Sequence, residues 1–441
     1  MDPALSASAG GERRLQVVFL INSFGFPEGM AGTNRVRLLG RALIEQGAAV
    51  RALCTRVSER PGEVRNTVTR GVSPEGISFL YTTGSTCRAP SFLARRLVEA
   101  RGYVAAFREL ARLRRRGLLD CAYLAAAPDS WQPGVWMLAG WLRALDVPLV
   151  VEFNELPGET RWLPRPISRR LSHLDGMTGA VAISRWLADW TTAEATRIGR
   201  HVAVIETPIV VDVGEQEPTG HACEPPTFVY SASTEYGRAV THIARALKIV
   251  WQKYPRCRLA VTGMRPDAVA DLVGREGLQD ELDAGLIVTL GYVERRRLLE
   301  LYREAAALLV PLFDDLRSRA RFPTKIGEYL ASARPVVTTN VGEIERYLAD
   351  GQTAFVAPAG DVQAFAAKLV AVLDDPAAAS AIGAAGRRLA EERFQYSRQG
   401  PRLHAFLASI AEGGPGHGHA VTAKTGETDF EVEEHAAAQV T

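Results

Sequence analysis

Lys325 and Glu328 stand three residues apart in a segment that reads RARFPTKIGEYLASARPVV from Arg319 to Val337. Pro323 and Thr324 read as a helix start, which puts the ammonium and the carboxylate on one helical face near its mouth. Ala333-Arg334-Pro335 stops that helix, and Val336-Val337 opens a buried strand. The helix N-terminus and Lys325 favour phosphate. Glu328 can accept two hydroxyl hydrogen bonds from a ribose. That is nucleotide chemistry. The same spacing also fits an ordinary solvated helix pair, worth about 0.2–0.5 kcal/mol. Lys is scarce in a chain that otherwise uses Arg, which sets this position apart from compositional noise.

Such residues need a frame, and 441 residues suffice for two domains, each with its own core. Hydrophobic content of 47% and charged content of 23% are ordinary globular values. A net charge of +2 makes no case for nucleic acid or acidic polymers. The five cysteines, Cys54, Cys87, Cys121, Cys223 and Cys257, show no CxxC spacing. An odd, dispersed set points to a reducing compartment and away from zinc. The eight His form no ligand pattern, and His417 and His419 sit in a Gly-rich tail. No metal site is expected. No stretch reaches the ~18–20 apolar residues of a spanning helix, and the MDPALSASAGGERR start lacks a signal pattern. The expectation is a soluble, cytoplasmic protein, with contact at the inner face of the membrane left open.

Alternation organises the chain. Leu15 to Asn22 is a continuous apolar run, the mark of a parallel strand buried on both faces. A Gly-rich loop follows, Thr33 or Asn34 can cap the next helix, and Ala48 to Cys54 is a second strand, completing a βαβ unit. Further strands read at Gly76–Tyr81, Cys121–Ala125, Leu149–Phe153, Thr178–Ile183 and Val202–Ile205, with Ser184 as an N-cap. Near Pro208 the pattern resets. A surface loop at His221–Pro226 precedes strands at Thr227–Ser231, Arg258–Thr262, Leu286–Leu290, Ala307–Pro311, Val336–Thr339 and Ala354–Val356. Helices then run from Val362 to Leu373, from Ala378 to Phe394 and, after Gly400-Pro401, from Arg402 to Ile410. Two such series mean two doubly wound parallel sheets, which place ligands at the carboxyl ends of their strands. The first 14 residues and residues 413–441 read as disordered.

Several segments recur in a family order: the Gly29-Met30-Ala31-Gly32 loop, Ala182-Ile183-Ser184, Pro208-Ile209-Val210-Val211-Asp212, Tyr230-Ser231-Ala232-Ser233 through Arg238, Leu290-Gly291-Tyr292-Val293, Leu308-Leu309-Val310-Pro311, the RFPTKIGEYLASARPVV segment, Gly351 and Gly360-Asp361. Over about residues 15–410 the chain resembles the retaining GT-B glycosyltransferases, specifically glycosyltransferase family 4. The resemblance implies an α/β GT-B fold of two Rossmann-like doubly wound domains facing across a cleft. An acceptor-side domain would span 15–207 and a nucleotide-sugar domain 208–392, with helices of 393–412 returning to the first. It implies transfer of a hexosyl-type sugar from a nucleoside-diphosphate donor to a saccharide, lipid-linked or small-molecule acceptor, with no metal or cofactor. Arg238 and Lys325 would neutralise the departing diphosphate. Glu328 would hold the ribose, Tyr292 and Val293 the base, and Ser233, Pro323 and Thr324 would lie by the phosphates. Gly32 would let the first domain approach the donor closely.

The chain also departs from the family pattern. Seven residues intervene between the paired glutamates of the family, and the position answering to the first one is Ala320, so the usual contact to the transferred sugar is missing. Ala333 stands where glycine usually ends the helix; in a left-handed conformation it costs on the order of 1 kcal/mol. No His stands at the end of the Val151–Glu155 strand, where Asn154, Glu155 and, from the first helix, Asn34 are the acceptor-side candidates. The Arg-rich segment Arg88–Arg116 reads as a helix packing on the sheet with a solvated Arg face, or as a basic amphipathic helix on anionic lipid. Trp131, Trp136 and Trp141 read as core and pocket wall. The competing function is a catalytically degenerate GT-B protein that binds nucleotide or scaffolds partners. A Rossmann dehydrogenase is a weak third reading, since the spacing of Gly25, Gly29 and Gly32 is not GxGxxG, and no P-loop occurs.

Overall fold

The computed structural model describes residues 13–62, 64–126, 133–156, 176–217 and 223–413. The tails read as disordered, His417, His419 and Trp131 lie largely or wholly outside them.

Two sheets carry the chain. The first comprises β1 (Gln16–Ile21), β2 (Ala49–Cys54), β3 (Arg70–Val72), β4 (Ser78–Tyr81), β5 (Cys121–Ala125), β6 (Leu149–Phe153), β7 (Gly179–Ala182) and β8 (Ala203–Glu206). Their spatial order is β3-β4-β2-β1-β5-β6-β7-β8. All neighbours are parallel except β3 and β4. The second comprises β9 (Thr227–Ser231), β10 (Arg258–Thr262), β11 (Ile287–Gly291), β12 (Ala307–Val310), β13 (Val336–Thr339) and β14 (Phe355–Ala357), in the order β11-β10-β9-β12-β13-β14 and parallel throughout. Helices cover both faces, so β1 is apolar and buried from Val17 to Ile21. The strand order reverses beside β9, and Ser231 is its last residue. Ligands in such sheets collect at this kind of switch point.

The lobes are joined twice. The chain leaves the first lobe through Thr207–Asp212 and returns at Phe394–Tyr396, where the Val211 N–H donates to Phe394 O at 2.9 Å and the Tyr396 N–H to Val211 O at 3.0 Å. Arg35, on the Ala31–Glu45 helix, fixes the first crossing. Its buried guanidinium donates to Glu152 Oε1 at 2.6 Å, Pro208 O at 2.6 Å and Thr207 O at 2.8 Å. The last helix, Tyr396–Ala411, packs on the Ala31–Glu45 helix, so close that a Cβ on Gly400 would lie 3.0 Å from Ala42 O.

Local readings shift in places. The last helix does not begin after Gly400-Pro401; Pro401 lies inside it. Tyr396, Gln399 and Gly400 are buried, and that packing outweighs the roughly 3 kcal/mol a proline costs within a helix. The Ala378–Phe394 helix is a Pro376–Leu389 helix continued by a π turn, Ala390–Phe394. Neither Thr33 nor Asn34 caps the first helix. Its N-cap is Met30, and Thr33 donates to Gly25 O at 2.7 Å instead. Ser184 does cap the Arg185–Arg197 helix, accepting from the Leu187 N–H at 3.1 Å. Trp136 and Trp141 are exposed, because the Pro133–Ala144 helix turns Val135, Leu138 and Leu142 inward. The Phe92–Arg115 helix buries Ala106, Leu110 and Leu113 at its far end and exposes Phe92, Leu93 and Leu97 at its start. No single helix among the described residues is long and apolar enough to cross a membrane.

Candidate active site

Lys325 opens a helix of seven residues, Lys325–Ala331, seated on the second sheet by buried Ile326, Tyr329 and Leu330. Thr324 is already in the right-handed helical region and its side chain makes no cap bond. Attraction for an anion here therefore rests on the ammonium more than on so short a helix. Lys325 Nζ donates to Ser231 O at 2.5 Å, at the end of β9, and faces the rings of Tyr230 (5.0 Å) and Tyr236 (5.5 Å). Burial and the neighbouring Arg321 push its pKa down to about 7, against the pull of Glu328. A lysine so placed gains by meeting an anion.

Glu328, one turn on, faces the first lobe. Its Oε1 accepts from Asn34 Nδ2 at 3.2 Å and from Arg295 at 2.9 Å. Burial works against the Arg295 charge, and Glu328 with Glu215 more than offsets it. Ala31, Asn34 and Leu38 of the first lobe face Val210, Thr324 and Glu328 across a crevice with room for about one water molecule.

The other sequence-named residues scatter around this point. Arg238 is not drawn to Lys325. Its side chain is 69% exposed, lies over the Phe313 ring at 3.8 Å and faces Asp315 at 3.5 Å, an aromatic face and a carboxylate that together hold it outward. Ser233 precedes the Thr234–Tyr236 turn and gives it no side-chain bond. Tyr292 is 51% exposed beside partly buried Val293, and its ring is covered from the other lobe by Arg65 at 3.6 Å. Gly32 does not present its bare face to the cleft; a Cβ there would meet the Phe24 ring at 3.1 Å. Asn154 carries a buried Oδ1 without a hydrogen-bond partner. Glu155 reaches the second lobe, accepting from Arg317 at 3.1 Å and from the Tyr236 hydroxyl at 3.3 Å. Ala320 is fully buried, with its carbonyl 2.5 Å from Ser184 Oγ, which donates to it across the lobes.

Sequence reasoning missed Arg321, Arg295, Arg65 and Tyr236. Arg321 lies four residues before Lys325 in the same segment, but one arginine among many gives no local signal.

Residues 225–375 match the family profile described as Glycosyl transferases group 1. The match covers β9 to β14. Sucrose-phosphate synthase from Thermosynechococcus elongatus superposes with a TM-score of 0.66 over 90% of this chain and 100% of that one, at 16% identity. Anabaena HepE, solved with UDP and glucose, superposes with a TM-score of 0.61 over 90% of this chain and all of that one, at 13% identity. The fold is GT-B. In sequence, a glycogen synthase of Mycobacterium tuberculosis is 25% identical over an alignment of 292 residues that covers 60% of this chain and 66% of that one. The chain thus spans just under two thirds of that relative's length. The profile match and the GT-B neighbours support a GT-B glycosyltransferase. On the GT-B frame, Lys325 and Glu328 lie on the wall of the second lobe that faces the first, and Asn34 is their counterpart opposite.

Proposed function

We propose that the protein is a retaining glycosyltransferase of the family 4 type. It moves a hexosyl-type sugar from a nucleoside-diphosphate donor to a saccharide, lipid-linked or small-molecule acceptor, without a metal. The carrying observation is the Lys325 ammonium beside the end of β9, depressed by burial and close to a second cation. Breaking the bond from the anomeric carbon to the diphosphate leaves negative charge on phosphate oxygen, and a fixed cation there lowers the barrier. The acceptor hydroxyl forms the new bond on the same face, so the departing phosphate oxygen can take its proton. The resemblance nominates Arg238 as the companion cation, Glu328 for the ribose, Tyr292 and Val293 for the base, and Ser233, Pro323 and Thr324 beside the phosphates. The donor is assigned to 208–392 and the acceptor to 15–207, where the unpartnered Asn154 Oδ1 suits a substrate hydroxyl. HepE is described in complexes with UDP and with UDP-glucose, which favours uridine donors in the first trial.

Exposed Phe92, Leu93 and Leu97 on the Arg-rich helix support peripheral contact with anionic lipid, tested by flotation with anionic vesicles. The buried Ala320 favours a second reading, nucleotide binding without turnover. A thermal-shift screen of UDP-, GDP-, ADP- and TDP-sugars, followed by turnover assays on an acceptor panel, tests both. A donor that binds but neither hydrolyses nor transfers supports the second, and no binding at all removes both.

A further inference from the structure

Among the described residues, Arg321 is a cation whose pairing is incomplete. Its side chain is 13% exposed, and its Nε–H is buried without an acceptor. A buried guanidinium N–H left unpaired is costly, so it marks a site where an acceptor belongs. Its other contacts are weak or neutral. It donates to the Tyr236 hydroxyl at 2.5 Å, stacks over that ring at 4.5 Å and stands 3.8 Å from Glu155 Oε1. Tyr236 also faces the Lys325 ammonium, so one aromatic ring joins the two cations. Their proximity is registered electrically, since Arg321 helps to depress Lys325. Arg317 adds a third positive group, donating to Glu155 at 3.1 Å and to Glu235 at 3.3 Å. Glu155 is thus a first-lobe carboxylate inserted among second-lobe cations.

Building on the donor reading above, we infer that Arg321, and not Arg238, is the guanidinium that binds the donor's diphosphate together with Lys325, and that Glu155 competes with the diphosphate for it. A diphosphate offers several acceptor oxygens to a forked donor, which a single carboxylate at 3.8 Å does not match. Arg238 already has an aromatic face and Asp315, and it is mostly exposed. Glu155, 43% exposed, forms bridges of the weak, solvated kind, which a ligand can displace.

Calorimetric titration of the full chain with UDP, GDP, ADP and TDP, and with the matching nucleosides, tests this. For the nucleotide that binds, Arg321→Gln is expected to weaken affinity about tenfold or more, as for a lost charge-assisted hydrogen bond, and to leave nucleoside affinity unchanged. Arg321→Lys recovers part of the loss. Arg238→Gln changes affinity less than about threefold, as for an exposed charge, and Glu155→Gln strengthens it about two- to fivefold, as for a weak bridge removed. The inference is overturned if Arg238→Gln costs more than Arg321→Gln, if Arg321→Gln weakens nucleoside and nucleotide alike, or if Glu155→Gln fails to strengthen binding. Absence of binding by all four nucleotides to the wild type overturns the donor reading as well, whereas the other outcomes leave that reading standing.

Discussion

A nucleoside diphosphate that docks on Lys325 must bring a proton with it. The Lys325 ammonium titrates at about 7 rather than 10.5, because burial and Arg321 disfavour its charge. At pH 8 only about one molecule in ten carries that charge, whereas a diphosphate at contact distance restores it. Binding then takes up roughly 0.9 proton per site at pH 8 and almost none at pH 6. The sign follows directly: the charged form binds, so affinity is full below about 7 and falls as pH rises through it. Between pH 7.5 and 9 the dissociation constant rises roughly 20-fold, a window chosen because a terminal phosphate has its own pKa near 6. The groups that face Lys325 do not confuse this. Tyr230 and Tyr236, whose rings it faces, are pushed upward, chiefly by burial. Titration calorimetry at pH 8 in two buffers of different ionisation enthalpy counts the protons, and Lys325→Met should abolish the uptake. Equal heats in both buffers, or the same uptake in Lys325→Met, would refute the reasoning.

Lys325→Ala and Glu328→Ala are each expected to remove most turnover with the true donor, on the order of 10²-fold or more for the lysine, while circular dichroism shows an unchanged fold; near-wild-type rates in both would sink the site assignment. Ala333 has φ +59° at the end of the Lys325–Ala331 helix, so Ala333→Gly should stabilise the protein by about 1 kcal/mol in denaturant titration. Arg35→Met strands Glu152 in the interior and should cost about 3–5 kcal/mol by the same measurement; a loss within 1 kcal/mol would show that the pair is dispensable.

What could be read from sequence depended on distance along the chain. Buried parallel strands announce themselves as apolar runs, and β1, β5 and β12 were legible for that reason. The missed β3, Arg70–Val72, is exposed throughout and pairs only with β4, so it carries no apolar pattern. Lys325 and Glu328 were legible because one helical turn holds both. The left-handed Ala333 was suggested by the family resemblance, which puts glycine at that helix end, and its φ is +59°. The partners that decide the site's electrostatics have no such local mark. Arg65 meets Tyr292, and Glu155 meets Arg317, only because the two lobes approach each other. The outward course of Arg238 depends on Phe313 and Asp315, some 75 residues on.

The returning helix has a consequence for biosynthesis. Leu403, Leu407 and Ile410 share a core with Leu39, Ala42 and Leu43. On the ribosome, the apolar side of that early helix emerges long before the residues that shield it. At about 5–20 residues per second, the roughly 190 residues between β8 and Tyr396 take on the order of 10–40 s to synthesise. Throughout that interval a nascent chain leaves open the part of that surface that Leu403, Leu407 and Ile410 later cover.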